Sequence, residues 1–178
     1  MQSGFAMLCA GYVRKKNIAN TMLKNLLDSC GSAVAFFAVG YAFAFGGDNS
    51  GKTFIGTTNF FLVGVEDLAF WFFQYSFSAA STTIVAGAIA ERSQMTAYLC
   101  YSVVLGGLVY PVIAHAMWSS QGFLSPAATE PLWGTGVIDF AGSSVVHMTG
   151  GTTALFAVCL RFLRTRHLLA PLHRSMLT

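Results

Sequence analysis

The stretch DFAGSSVVHMTGG, Asp139 to Gly151, puts a carboxylate and an imidazole inside one of the most apolar parts of the chain. A charged side chain at the centre of a bilayer costs at least ~2.5–3.5 kcal/mol on insertion scales, so ionisable groups at that depth face a bundle interior or a pathway. Whether this applies depends on the solvent around the stretch, and composition decides that. The 178 residues are 54% hydrophobic and only 10% charged, against about 25% charged in a soluble domain. Ten Lys/Arg and seven Asp/Glu do not cover a solvated globule of this size without large apolar patches. The expectation is an integral membrane protein whose partner is the lipid bilayer.

Crossing the ~30 Å hydrocarbon core as a helix takes roughly 20 mostly apolar residues. Four stretches reach about that length: Ser29 to Gly47, Leu68 to Ala90, Met95 to Trp118 and Val137 to Leu160. A fifth, Gly4 to Val13, is shorter and reads as part of a truncated helix, with no basic region before it to mark a signal peptide. The fold class is therefore all-α, a polytopic bundle of about five membrane helices. Glycines within the spans, among them Gly40, Gly106, Gly107 and Gly150, are expected to let helices approach closely.

Charge distribution explains the formal net charge of +3. Arg14, Lys15, Lys16 and Lys24 lie between the first two spans, Arg92 lies between the third and fourth, and Arg161, Arg164, Arg166 and Arg174 follow the fifth. These all fall on one side, and Lys52 alone lies opposite. The positive-inside rule assigns the basic side to the cytoplasm, so the excess is topological and implies no nucleic-acid partner. Cys9, Cys30, Cys100 and Cys159 are widely spaced in apolar surroundings and read as small buried hydrophobes. No Gly-rich phosphate loop, metal-ligand spacing or paired carboxylates appear, so no enzyme, metal or cofactor is indicated.

Asp139 starts the last apolar span, where a carboxylate either caps free N–H groups or lowers the energy of a cation. His147 follows eight residues later, about 12 Å along a helix, and reads equally well as a core histidine or a pathway residue. Phe73 and Phe77 share a helix face one turn apart, which is ordinarily packing and in a pore is an apolar gate. Trp118 ends the fourth span, either as an interfacial aromatic or as a ring offered to a cation. His115, one turn earlier, reads as interfacial.

DFAGSSVVHMTGGTTAL, Asp139 to Leu155, resembles the signature of the ammonium transporter (Amt/Mep/Rh) superfamily in its plant and algal form. GFAMLCAGYVRKKN, GYAFAFGG, FIGTTNFFL and GAIAERSQMTAYLCYSVVLGGLVYPVIAHAMW look like the same subfamily in the same order, from Gly4 to about Leu160. The resemblance implies one half of an inverted-repeat transporter of eleven helices, assembled as a homotrimer in the plasma membrane, with ammonium or ammonia as substrate. It implies that Trp118 recruits the cation through its ring, that Asp139 supports that site, and that Phe77 is a gating phenylalanine with Phe73 one turn away. His147 corresponds to the first of two pore histidines.

Residues 161–178, RFLRTRHLLAPLHRSMLT, do not follow the family pattern and read as a basic cytoplasmic tail after a partial transport domain at 1–160. The second gating phenylalanine and second pore histidine do not occur in this sequence. Transport is therefore expected from a longer chain; the alternative is a truncated, non-conducting subunit that associates with full-length transporters.

Overall fold

The computed structural model describes residues 1–47 and 51–160; the tail at 161–178 lies outside them. Five helices account for the fold: α1 (Gln2–Tyr12), α2 (Lys15–Phe45), α3 (Leu68–Ile89), α4 (Met95–Trp118) and α5 (Ser143–Leu160). Among the described residues there is no strand, only a single bridge between Thr53 and Gly122. Three helices, α2, α4 and α5, are long and apolar enough to cross a membrane by themselves. α3 has the length, 22 residues, but spends much of its composition on Gln74, Ser78, Ser81, Thr82 and Thr83, all buried inside the bundle. Its neighbours are α1, α2, α4 and α5, so its polar face meets protein while Leu68, Phe72 and Phe73 stay exposed, and its hydroxyls bond to the carbonyl one turn back, as from Thr82 to Ser78 and from Thr83 to Ala79.

α2 begins 14 residues before the expected span and carries Lys24 with it, so Lys24 is helical and 4% exposed, not a loop residue. The reason is a stripe of polar residues, Thr21, Lys24, Asn25, Asp28 and Ser32, at helical spacing and buried on the inner face. A hydropathy reading takes that stripe for a loop; the bundle satisfies part of it internally. Tyr101 donates to Asp28 at 2.6 Å, and Ser32 and Ser78 share a hydrogen bond at 3.1 Å. Lys24 Nζ donates to the Ala90 and Ser93 carbonyls at the end of α3 and sits 4.5 Å from the Tyr98 ring centroid, where a cation meets both the helix dipole and a π face.

α2 and α4 each contain one π-helical turn, at Phe36–Gly40 and Leu105–Val109, and the two turns pack on each other. In α4 the wide turn directly precedes Pro111, whose ring and missing N–H disturb a regular α ladder. At the crossing a Cβ on Gly40 would lie 2.6 Å from the Gly106 carbonyl oxygen, so only glycine fits. The core around this point is Phe36, Tyr41, Tyr110, Ala114, Val145 and Val146.

At the basic end, Glu91 in the α3–α4 turn accepts from the Asn17 amide at 2.7 Å, from the Arg14 backbone N–H at 3.0 Å and from Arg14 Nε at 3.1 Å. These donors hold the Glu91 carboxyl down at about 2. At the other end His115 is fully buried, contrary to its interfacial reading: Nδ1 donates to the Ala44 carbonyl and Nε2 is hydrogen-bonded to the Thr53 hydroxyl. The ring thereby ties the long α2–α3 loop to the ends of α2 and α4. Of the four cysteines only Cys9 is buried; Cys30, Cys100 and Cys159 are exposed and unbridged. They lie on outward helix faces beside residues such as Val34, Leu99 and Val103, where an apolar solvent makes exposure cheap for a small thiol side chain.

Candidate functional site

The site is built where α3, α4 and the start of α5 converge. Asp67 caps α3, its carboxylate accepting from Phe70 N–H at 2.9 Å, and this fixes the register that sends Phe73, Gln74 and Phe77 to one side. Phe73 and Phe77 meet edge to face with centroids 4.9 Å apart, and Phe77 meets Trp118 of α4 at 5.5 Å. The Trp118 indole N–H donates to the Asp139 carbonyl at 2.7 Å, which fixes the ring plane.

Asp139 decides how α5 starts. Oδ1 accepts from the N–H groups of Gly142 and Ser143, Oδ2 from those of Ser144 and Val145, all between 2.8 and 2.9 Å. A single carboxylate thus satisfies four backbone donors at a helix N-terminus, more than an ordinary N-cap does. The chain reverses at Gly142, whose φ of +91° is left-handed, and the first turn of the helix, Ser143–Met148, is π-helical. The helix begins at Ser143, six residues after the expected Val137, because this cap and turn occupy the intervening chain.

Two cavities flank Phe77. The first, about 400 Å³, is lined by Phe45, Phe70, Phe73, Gln74, Trp118 and Asp139 among others, and by Phe77. The second, about 340 Å³, is lined by Phe5, Leu8, Ala80, Val146, His147 and again Phe77. Phe73, Phe77, Trp118 and Asp139 are therefore brought together, and His147, itself exposed, lines the second cavity, which shares Phe77 with the first. Its imidazole makes no side-chain hydrogen bond among the described residues, in a cavity otherwise lined by apolar side chains. Nothing here resembles a metal centre: among the described residues no three His, Cys, Asp or Glu side chains gather to hold an ion.

Sequence reasoning missed Gln74, which lines the first cavity while 6% exposed. Its signal was present as a lone amide between two phenylalanines in FQYSF, but the aromatic pair drew the reading.

Comparison with known proteins shows the family. The family model described as Ammonium Transporter Family matches residues 1–170. The chain is 50% identical over 155 residues to "Ammonium transporter 1 member 3" of Solanum lycopersicum, covering 85% of this chain and 33% of that protein. It is 47% identical over 165 residues to "Ammonium transporter Amt2" of Archaeoglobus fulgidus, covering 90% and 35%. A solved structure, "Sensor Amt Protein", superposes with a TM-score of 0.75 at 36% identity, covering 86% of this chain and 38% of that one. The chain spans about a third of the length of the curated relatives it matches. Signature, helical architecture and family match agree, and the chain is an integral membrane protein belonging to the ammonium transporter family.

Proposed function

We propose that the chain supplies the entrance and first part of a path for ammonium or ammonia across the plasma membrane. The observation that carries this is the position of Phe77 between an aromatic cavity backed by the Asp139 carboxylate and an apolar cavity containing His147. A cation stripped of water in the first cavity is stabilised by the faces of Trp118, Phe73 and Phe77. The buried charge of Asp139 contributes through space, since its oxygens are taken up by backbone N–H groups. Beyond Phe77 the apolar lining disfavours an ion and favours neutral ammonia, and His147 is placed to take up or return the proton. The basic end, with Arg14 and Arg92, is the cytoplasmic one, and the first cavity opens outward. The working unit is a homotrimer in which each path is completed by sequence that relatives carry and this chain does not cover.

Uptake of labelled methylammonium by cells without their own ammonium transporters, expressing the chain joined to the remaining sequence its relatives carry, tests the assignment. Trp118→Leu removes a desolvated cation–π contact of about 2 kcal/mol, so half-saturation rises about thirtyfold. His147→Ala acts on rate and proton coupling with little change in half-saturation. If neither substitution alters uptake, the assignment is wrong. If the chain shows no uptake but lowers that of a co-expressed relative, the non-conducting subunit is the correct reading.

A further inference from the structure

We propose that Gln74 determines the specificity of the aromatic cavity, its amide oxygen accepting a hydrogen bond from an N–H of the bound cation. The proposal rests on the cation-binding reading of that cavity and goes beyond the π faces and the carboxylate. A dehydrated ammonium ion carries four N–H donors. Aromatic faces answer its charge but supply no lone pair, so without an oxygen the ion pays for donors left unpaired.

The cavity lining leaves one candidate side chain. Of its lining residues only Gln74 and Asp139 carry side-chain oxygens. Both Asp139 oxygens are already engaged, each by two backbone N–H groups. Gln74 is 94% buried by its 6% exposure, and its Oε1 is fully buried with no hydrogen-bond partner among the described residues. An acceptor orphaned in an apolar wall costs about 1–3 kcal/mol, and no hydrogen bond to Oε1 among the described residues holds the amide in that orientation. Helical spacing places Gln74 beside Phe73 and three residues before Phe77, so the amide and the π faces converge on one cavity. A half-turn of the terminal torsion exchanges the amide oxygen and nitrogen without changing volume, so the oxygen can meet the cation.

The test is calorimetric titration of the purified protein in lipid nanodiscs with ammonium chloride and, separately, tetramethylammonium chloride, which has the same charge and no N–H. Wild type is expected to bind ammonium more tightly. The near-isosteric Gln74→Met is expected to weaken ammonium at least about tenfold and leave tetramethylammonium unchanged, whereas Gln74→Glu, which keeps an acceptor, does not weaken ammonium. Equal weakening of both cations by Gln74→Met, or unaltered ammonium binding, overturns the proposal and makes Gln74 a packing residue. Tetramethylammonium binding to wild type as tightly as ammonium overturns it even where the variant fails to assemble. Trp118→Leu separates the two levels: if it too leaves both cations unaffected, the cavity is not the cation site and the underlying reading fails.

Discussion

Asp139 satisfies more of its surroundings than any other side chain at the site. It serves four backbone N–H groups and, through its own carbonyl, the Trp118 indole. Asp139→Ala leaves those donors unpaired at a buried helix end. The expected loss is about 2 kcal/mol, the top of the range for a lost cap, read as a lower unfolding midpoint in detergent. Asp139→Asn retains one acceptor oxygen and is expected to fall between. The sequence carried the cap, because position at a helix start implied it; support of a cation site is what the resemblance implies and belongs to the proposal. What it did not carry was the count, because four acceptances require the left-handed turn at Gly142 and the widened first turn of α5. His115 shows the opposite failure. A histidine one turn from a helix end reads as interfacial, and only the return of the α2–α3 loop, which brings Thr53 to its ring, buries it.

At the scale of elements, α2 and α4 cross where their π-turns meet, with Gly40 against the Gly106 carbonyl. Gly40→Ala forces the backbones apart and is expected to cost about 1–3 kcal/mol. Gly4, in α1, has nothing within 4 Å of a built Cβ, so Gly4→Ala is expected to be neutral or to stabilise by up to about 1 kcal/mol through helix propensity. Thermal unfolding of the two variants side by side checks both signs. Helix α4 was legible to the residue because its apolar run is bounded by polar turn sequences on both sides. Helix α2 was not: its inner face holds Thr21, Lys24, Asn25 and Asp28, and hydropathy averages across a helix without knowing which face meets protein. Helix α3 was legible as a span, but not its division into a hydroxyl-rich face packed among four neighbours and an exposed face carrying Leu68, Phe72 and Phe73.

Across the whole molecule, the basic end is tied together by Glu91, which joins the α3–α4 turn to Arg14 and Asn17 at the start of α2. The Glu91 carboxyl is held at about 2 against an ordinary 4.5. The folded value is depressed, so the stabilisation is fully present above the ordinary value and is lost as pH falls from there through about 2. Glu91→Gln is therefore expected to unfold more readily than wild type near neutral pH and to converge with it in strong acid. Unfolding midpoints of both proteins across that window check this. The opposite end holds the paired cavities, and the proposal that unites the molecule is that Phe77, which lines both, separates one from the other.

Phe77→Ala tests that claim most directly, through the potassium-to-ammonium conductance ratio of cells expressing the chain joined to the remaining sequence its relatives carry, measured against wild type. The account predicts that the ratio rises, because removing the ring joins a cavity that accepts cations to one that excludes them and lets hydrated ions pass. An unchanged ratio, with ammonium conductance intact, would contradict it and leave Phe77 as packing between α3 and α4.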